Sequence, residues 1–426
     1  MARHIRSEKK QKTAPCPIIS APYKGQGKGN GKGEGRLEYA ILGLFILLNS
    51  LMPLRAQLSQ ESRITILTCS PGEELYSIFG HTAMRVVDPV LEIDYVFNYG
   101  TFDFNTPNFY LKFMRGQLDY ALSVSDFSYF LPEYRQAGQS VIEQSLNLTT
   151  DEKNRLFTAL ISNYEPQNRY YKYHFFFDNC ATRVRDVIAS NIGDTIVFPE
   201  KEYKDLISFR DAIGTYLHNR PWTKLGLDLV LGAPTDDPVN ASSIQFLPDY
   251  LMLQFSDAHR AESNTALIHS TETLLEPKQP ETAKPAPPAV WLSLLALAIL
   301  VYSYISYRKR KSSMWLNSLI FSLIGILGLL IIFLWFFTSH TVTGPNWHII
   351  WANPLYLILL IPSFSNSRAG TLIRQLMALA IFLFAILSAF IPQYIPGALI
   401  PVWIILIVRL IFFDTRKKLT LNKGIV

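Results

Sequence analysis

Cys180 has the setting a nucleophile would need in this chain of 426 residues. It lies in Phe175-Phe176-Phe177-Asp178-Asn179-Cys180-Ala181-Thr182-Arg183, which reads as an aromatic run, an Asp/Asn cap and a helix with the cysteine in its first turn. Backbone N–H groups and the helix dipole at such a point favour a thiolate over a thiol. A thiolate nucleophile needs a base, and His81 is the candidate. It follows Gly80 after a short predicted helix and opens a strand, 99 residues before Cys180. Asn98, with Asp94 on the same strand face, is the candidate to orient the imidazole. His174 belongs to the aromatic run 170–177 and reads as structural. Other chemistries lack their signatures: there is no GxSxG elbow, HExxH, CxxC or P-loop. The eight histidines show no ligand-like spacing, so no metal and no cofactor is expected.

The elements that must position this pair lie between residues 57 and about 270. Short β-branched or aromatic runs at 64–67, 82–87, 93–99, 118–124 and 141–146 predict strands. Thr149-Thr150-Asp151-Glu152 opens an apolar period at Leu156, Leu160 and Ile161, a helix start. The fold class expected here is α+β, with the thiol on a helix and the imidazole on a strand. A proline-rich stretch at 271–288 reads as a linker to a second body.

That second body is expected to be a membrane bundle. Five apolar stretches at about 289–307, 314–337, 348–364, 372–391 and 395–413 each approach the roughly 20 residues that span a bilayer as helix. The formal net charge of +6 would by itself suggest an acidic partner such as nucleic acid. Its distribution argues otherwise: residues 56–288 carry −11 and residues 289–426 carry +10. Arg308, Lys309, Arg310 and Lys311 follow the first stretch, Arg368 and Arg374 flank the third and fourth, and Arg409 and Arg416 close the fifth, whereas the alternate loops carry no Lys or Arg. The positive-inside rule then puts the α+β domain outside the cytoplasm and the tail 414–426 inside it. Lysines and arginines near the helix ends are expected to snorkel, and the lack of carboxylates within the bundle argues against an ion-coupled transporter. Residues 1–56 agree with export: a basic, glycine-rich leader precedes an apolar run ending at Leu54-Arg55-Ala56, which reads as a signal peptide or a signal anchor. After cleavage only Cys69 and Cys180 would remain, so a Cys69–Cys180 disulfide is a competing account of Cys180.

The loop 338–347 is expected at the outer interface. Trp347 suits an aromatic belt there. His340 and Asn346 are candidates to bind lipid head groups or complete the site, against a role in capping helix ends; Arg115, with Lys112, is a candidate phosphate ligand, against a solvated helix face.

Several ordered blocks carry a family resemblance. Papain-like proteases place the cysteine before the histidine, but circularly permuted relatives in the NlpC/P60 superfamily have the order seen here. More specifically, LTCSPGEELYSIFGHTAMRV (67–86), DYVFNYGTFDF (94–104), FYLKFMRGQLDY (109–120), FFFDNCATRVRD (175–186) and SHTVTGPNWHIIWANPL (339–355) resemble the Lnb-like lipoprotein N-acyltransferases of Bacteroidota. The resemblance spans roughly residues 60–415. It implies a permuted papain-like exported domain followed by five transmembrane helices in the bacterial inner membrane, with His81 and Cys180 as the catalytic pair. It also implies an activity: moving an acyl chain from a phospholipid donor to the N-terminal amine of a diacylated lipoprotein, without nucleic acid. His348 departs from the asparagine expected after the loop tryptophan. The rival expectations are a cell-wall peptidase or amidase using the same pair, and a non-catalytic membrane scaffold held by the disulfide.

Overall fold

The computed structural model describes residues 57–198, 208–278 and 285–412. The leader and signal segment, the middle of the linker and the tail 414–426 lie outside the described residues.

Alternating apolar residues build the outer domain around one sheet. Its strands are β1 (Arg63–Cys69), β2 (His81–Asp88), β3 (Ile93–Thr101), β4 (Asp119–Asp126), β5 (Val141–Leu146), β6 (Tyr170–Lys172) and β9 (Ile268–Leu275), all paired antiparallel in the order β6-β4-β3-β2-β1-β5-β9. A separate two-residue pair joins β7 (Ile196–Val197) to β8 (His259–Arg260). Period-two alternation gives the sheet two apolar faces. On one, Ile64, Ile66, Met84, Val86, Phe97 and Tyr99 share a core with helices α3 (Thr150–Tyr164), α4 (Cys180–Asn191) and α7 (Pro248–Asp257). On the other, Leu67, Cys69, Ala83 and Val96 pack with Phe130 of α2 (Phe127–Ala137). The remaining outer helices are α1 (Phe109–Met114), α5 (Phe209–Gly214) and α6 (Pro221–Val230).

The local signals explain these elements. Thr149 and Glu152 form a reciprocal capping box at the start of α3, and the Glu152 carboxylate also accepts from Arg260 at 2.7 and 2.9 Å, fastening the C-terminal part of the domain to that helix start. The five expected strands are present with ends moved by a few residues at most. The expected linker is corrected at its start: residues up to Leu275 continue β9, because Thr271 and Thr273 suit a strand and the edge of β5 offers free backbone partners.

The membrane part departs further from expectation. Among the described residues three helices are long and apolar enough to cross a membrane: α8 (Pro288–Arg308), α9 (Met314–Phe336) and α10 (Arg368–Leu387, continued to Phe390 by a 3-10 turn). The expected third span is not one helix. It is broken into turns at Trp347–Ile350, Leu355–Ile358 and Pro362–Ser365. Pro354 and Pro362 cannot supply helix hydrogen bonds, and the Asn353 side chain caps the restart by accepting from Leu355 N at 3.1 Å. The segment is buried against α9, where a Cβ on Gly328 would meet the backbone of Asn353 at 2.7 Å. Non-helical backbone at such a place is tolerated because protein, not lipid, surrounds it. The fifth stretch forms α11 (Ile400–Ile411), 12 residues long, after a 3-10 turn at Gly397–Leu399. Snorkelling also fails for two arginines. Arg374 and Arg409 are buried: Arg409 donates to Asn317 Oδ1 at 2.6 Å and Ser313 O at 3.0 Å, and Arg374 donates to Ser365 O. Carbonyl and side-chain oxygens at neighbouring helix ends replace the water these cations would otherwise seek.

Candidate functional site: a buried thiol and imidazole

Asn179 sets the position of the thiol. Its Oδ1 accepts from Ala181 N and Thr182 N, both at 2.9 Å, while its Nδ2 donates to Phe175 O at 2.8 Å and Phe246 O at 2.7 Å. Thr182 completes the capping box by accepting from Asn179 N at 2.8 Å. One buried amide thus holds the helix start, the aromatic run before it and the loop before α7 as a unit, with Cys180 in the first turn. Asp178 and Arg183 brace the same turn through a two-point ion pair at 2.5 and 2.7 Å.

His81 comes to Cys180 by a backbone device. Gly80 adopts φ +77°, and a Cβ there would stand 2.7 Å from the Cys69 carbonyl, so the chain enters β2 by a turn only glycine fits. His81 and Cys180 are neighbours, close enough for the charge of each to act on the other. His81 Nε2 faces Asn98 Oδ1 at 3.3 Å, an oxygen that can only accept, so Nε2 carries a proton and Nδ1 is the nitrogen left for the thiol. Asn98 Nδ2 donates in turn to Val96 O at 3.4 Å and Ser125 Oγ at 3.5 Å, both long contacts. Asp94, the other candidate on that strand, is taken up by Arg85 at 2.7 and 2.8 Å.

The electrostatics of the pair are reciprocal. Burial pushes the Cys180 thiol up, but the adjoining His81 charge, helped by the backbone N–H groups of Thr82 and Ala181, outweighs it and holds the group below its ordinary value. Burial likewise pushes His81 down, and the Cys180 charge, the hydrogen bond with Asn98 and the more distant Glu133 carboxylate bring it above its ordinary value. Both shifts move in the direction that favours the charged forms, thiolate and imidazolium, over the neutral ones.

A residue that sequence reasoning passed over completes this surrounding. Tyr173 is a neighbour of Cys180 across Gly100, and burial followed by the nearby Cys180 charge keeps its phenol protonated, hence a donor. Gly100, at φ +92°, gives it room: a Cβ there would stand 3.2 Å from the Tyr173 ring and 3.8 Å from Cys180 Cβ. The signal in the sequence was a tyrosine seven positions before the thiol, inside a run whose aromatic character suggested only packing.

The disulfide account is overturned. Cys69 and Cys180 are both free and buried, and they belong to the cores on opposite faces of the sheet. Among the described residues no group of three or more His, Cys, Asp or Glu is placed to hold a metal ion.

Two family models match the chain: the Lnb N-terminal periplasmic domain over residues 54–207 and the Lnb transmembrane domain over residues 280–418. Both parts of one architecture are present, in order, over more than half of the sequence. The chain belongs to the Lnb family. It is an inner-membrane protein with an N-terminal periplasmic part. No curated protein and no solved structure matches it.

In this Lnb-family chain the loop 338–347 is the seam between the two parts. Val342 O and Pro345 O accept from Gly232 N and Ala233 N, each at 2.8 Å, and Ser339 N donates to Arg115 O at 2.8 Å. Asn346 is not available to lipid: it is buried, it caps the next turn by accepting from His348 N at 3.1 Å, and it donates to Leu229 O at 2.9 Å. His348 is buried too, accepting from Trp351 Nε1 on Nδ1 at 3.0 Å, so its Nε2–H donates to Asp228 O at 3.2 Å. The unexpected histidine therefore fastens the membrane part to the C-terminal end of α6. His340 reaches Phe113 O at 3.3 Å, and Thr341 Oγ1 lies 2.7 Å from His174 Nε2. His174, six residues before Cys180, is the link from this loop to the segment that carries the thiol. The side chain of Arg115 is exposed at the end of α1. A hollow of about 530 Å³ at the seam, lined by Asp236, Asp237, Gln393 and Tyr394 among others, shares no residue with the thiol site and is not the place of its chemistry.

Proposed function

We propose that this protein is a cysteine-dependent acyltransferase that moves an acyl chain from a membrane phospholipid to the N-terminal amine of a lipidated lipoprotein. The observation that carries the reading is Cys180 set in the first turn of α4 by the Asn179 cap, with His81 beside it and facing Asn98, in a domain clasped to a membrane bundle. The thiolate attacks the ester carbonyl, a C–S bond forms, and the C–O bond to the lysophospholipid breaks as His81 gives the leaving alkoxide its proton. The amine of the acceptor then attacks the thioester. His81 takes the amine proton, the C–S bond breaks, and the thiolate is restored with an amide as product. Asn98 holds the imidazole in the tautomer this requires, and the Thr82 N–H and the Tyr173 hydroxyl, both beside Cys180, are the donors this reading assigns to the developing oxyanion. No cofactor is needed.

The membrane part supports this reading over wall hydrolysis, because both proposed substrates are lipids held in one leaflet, and sharing that leaflet raises their effective concentration. In this reading the periplasmic leaflet faces the thiol, and the C-terminus lies in the cytoplasm beside the basic loops. Reconstitution in phosphatidylethanolamine vesicles with a diacylated lipopeptide tests it. The expected result is a lipopeptide heavier by one amide-linked acyl chain, with a thioester on Cys180 when the acceptor is withheld. An unmodified lipopeptide alongside cleavage of a peptidoglycan stem peptide would instead establish the hydrolase.

A further inference from the structure

Among the described residues nothing covers the outer side of the short helix α1. Tyr110 is 75% exposed, Leu111, Phe113 and Met114 are exposed beside it, and Phe104, just before the helix, is 60% exposed. Side chains of this kind in one contiguous patch mark an interaction surface. The place of α1 in the fold names the partner. Its last turn is pinned to the chain leaving a membrane span: Ser339 N donates to Arg115 O and His340 Nε2 reaches Phe113 O, only a few residues after α9 ends at Phe336. Phe336 and Phe337 are themselves exposed, so the apolar surface of the span runs on into that of α1. Lys112 and Arg115 add positive charge at the same level, where lipid phosphates lie.

The inner side of α1 leads to the thiol. The Phe109 ring meets Phe102 at 5.8 Å between centroids, Phe102 meets Tyr120 at 5.5 Å, and Tyr120 stacks on Tyr173 at 4.5 Å. A row of aromatic rings therefore connects the exposed patch to Tyr173, the neighbour of the nucleophile across Gly100.

We propose that α1 is immersed in the periplasmic leaflet and forms the lip over which a phospholipid acyl chain reaches Cys180. Immersion follows from the exposed patch and its continuity with the span; the assignment of the lip to the acyl donor rests on the acyltransferase reading. Two measurements separate these parts. A spin label at Leu111→Cys, in a chain whose three native cysteines are replaced by alanine, is read in vesicles of phosphatidylethanolamine and phosphatidylglycerol against a label at exposed Asp151→Cys. Collisions at residue 111 should favour oxygen over an aqueous nickel chelate relative to residue 151. Equal collision ratios at the two positions would overturn immersion. With the native cysteines retained, the double variant L111E/F113E alters only exposed side chains and should lower the yield of acyl-Cys180 from vesicle phospholipid by about tenfold or more, as expected when apolar contacts with lipid are lost. A yield equal to the wild type would overturn the lip. Failure of the wild-type protein to form any acyl-Cys180 would overturn the acyltransferase reading and the donor role, while the spin labels still decide immersion.

Discussion

Two cysteines belong to the cores on the two faces of one sheet, and both are buried, yet their thiols shift in opposite directions. Cys69, at the end of β1, is packed among Leu67, Ala83, Val96 and Phe130, and burial holds its thiol far above the ordinary value despite a hydrogen bond with Tyr134. Cys180, at the start of α4, is buried as well, yet its thiol is lowered because His81 places a positive charge beside it. The strand register sets Cys69 directly opposite His81 across β1 and β2, so nearness to the histidine in the ladder does not decide which sulfur is activated. What decides is the imidazolium charge beside the sulfur and the backbone donors at a helix start. Desolvation without a cation makes a cysteine inert; with one, the low dielectric strengthens the ion pair.

That contrast can be broken most directly at the sulfur itself. Cys180→Ala should abolish lipopeptide acylation, a loss of at least about a thousandfold by mass spectrometry. His81→Ala should come close, about a hundred- to ten-thousandfold, with a signature of its own in the pH dependence. In the wild type the thiolate appears as pH rises through a Cys180 value below the ordinary thiol range, and the imidazolium is lost as pH rises through a His81 value above the ordinary imidazole range. Both directions favour coexistence of the two charged forms. Without His81 the largest cause of the lowering is gone and burial is opposed by the backbone donors alone, so the ultraviolet absorbance of the thiolate should move to higher pH, and a profile unchanged from wild type would refute the ion pair. Asn98→Ala should leave the thiol in place but let the imidazole turn, at a cost in kcat of about a hundredfold or less. Tyr173→Phe removes one donor beside the sulfur and should raise the thiol titration by about one pH unit, with about a tenfold loss of thiolate at neutral pH. The smallest effect belongs to the other face: Cys69→Ala should leave acylation at the wild-type rate and cost about 1 kcal/mol in chemical denaturation. A Cys69 variant that lost acylation would erase the distinction between the two sulfurs.

The legible parts of this molecule were those governed by local rules. The capped start of α4, the capping box of α3 and the alternation in β1 to β5 are short-range patterns, and they brought out Cys180, His81 and Asn98 without a structure. Tyr173 was hidden because its role depends on the close passage of Gly100, a residue more than seventy positions away. Hydropathy found the membrane part but overcounted its long helices, since composition cannot tell a straight span from turns folded against glycines of α9. Asn346 misled for a related reason: a polar residue at an expected interface looks available to lipid, whereas here it serves, like its neighbour His348, as a hydrogen-bonding partner for α6.

The loop 338–347 is fastened to α1 on one side and to the chain after α6 on the other, and Thr341 is tied to the segment leading into Cys180. A domain held this way is a fixture on its base rather than an arm on a hinge. The height of the sulfur above the bilayer is then a constant of the architecture, so whatever it reacts with must be carried to that height by its own anchor.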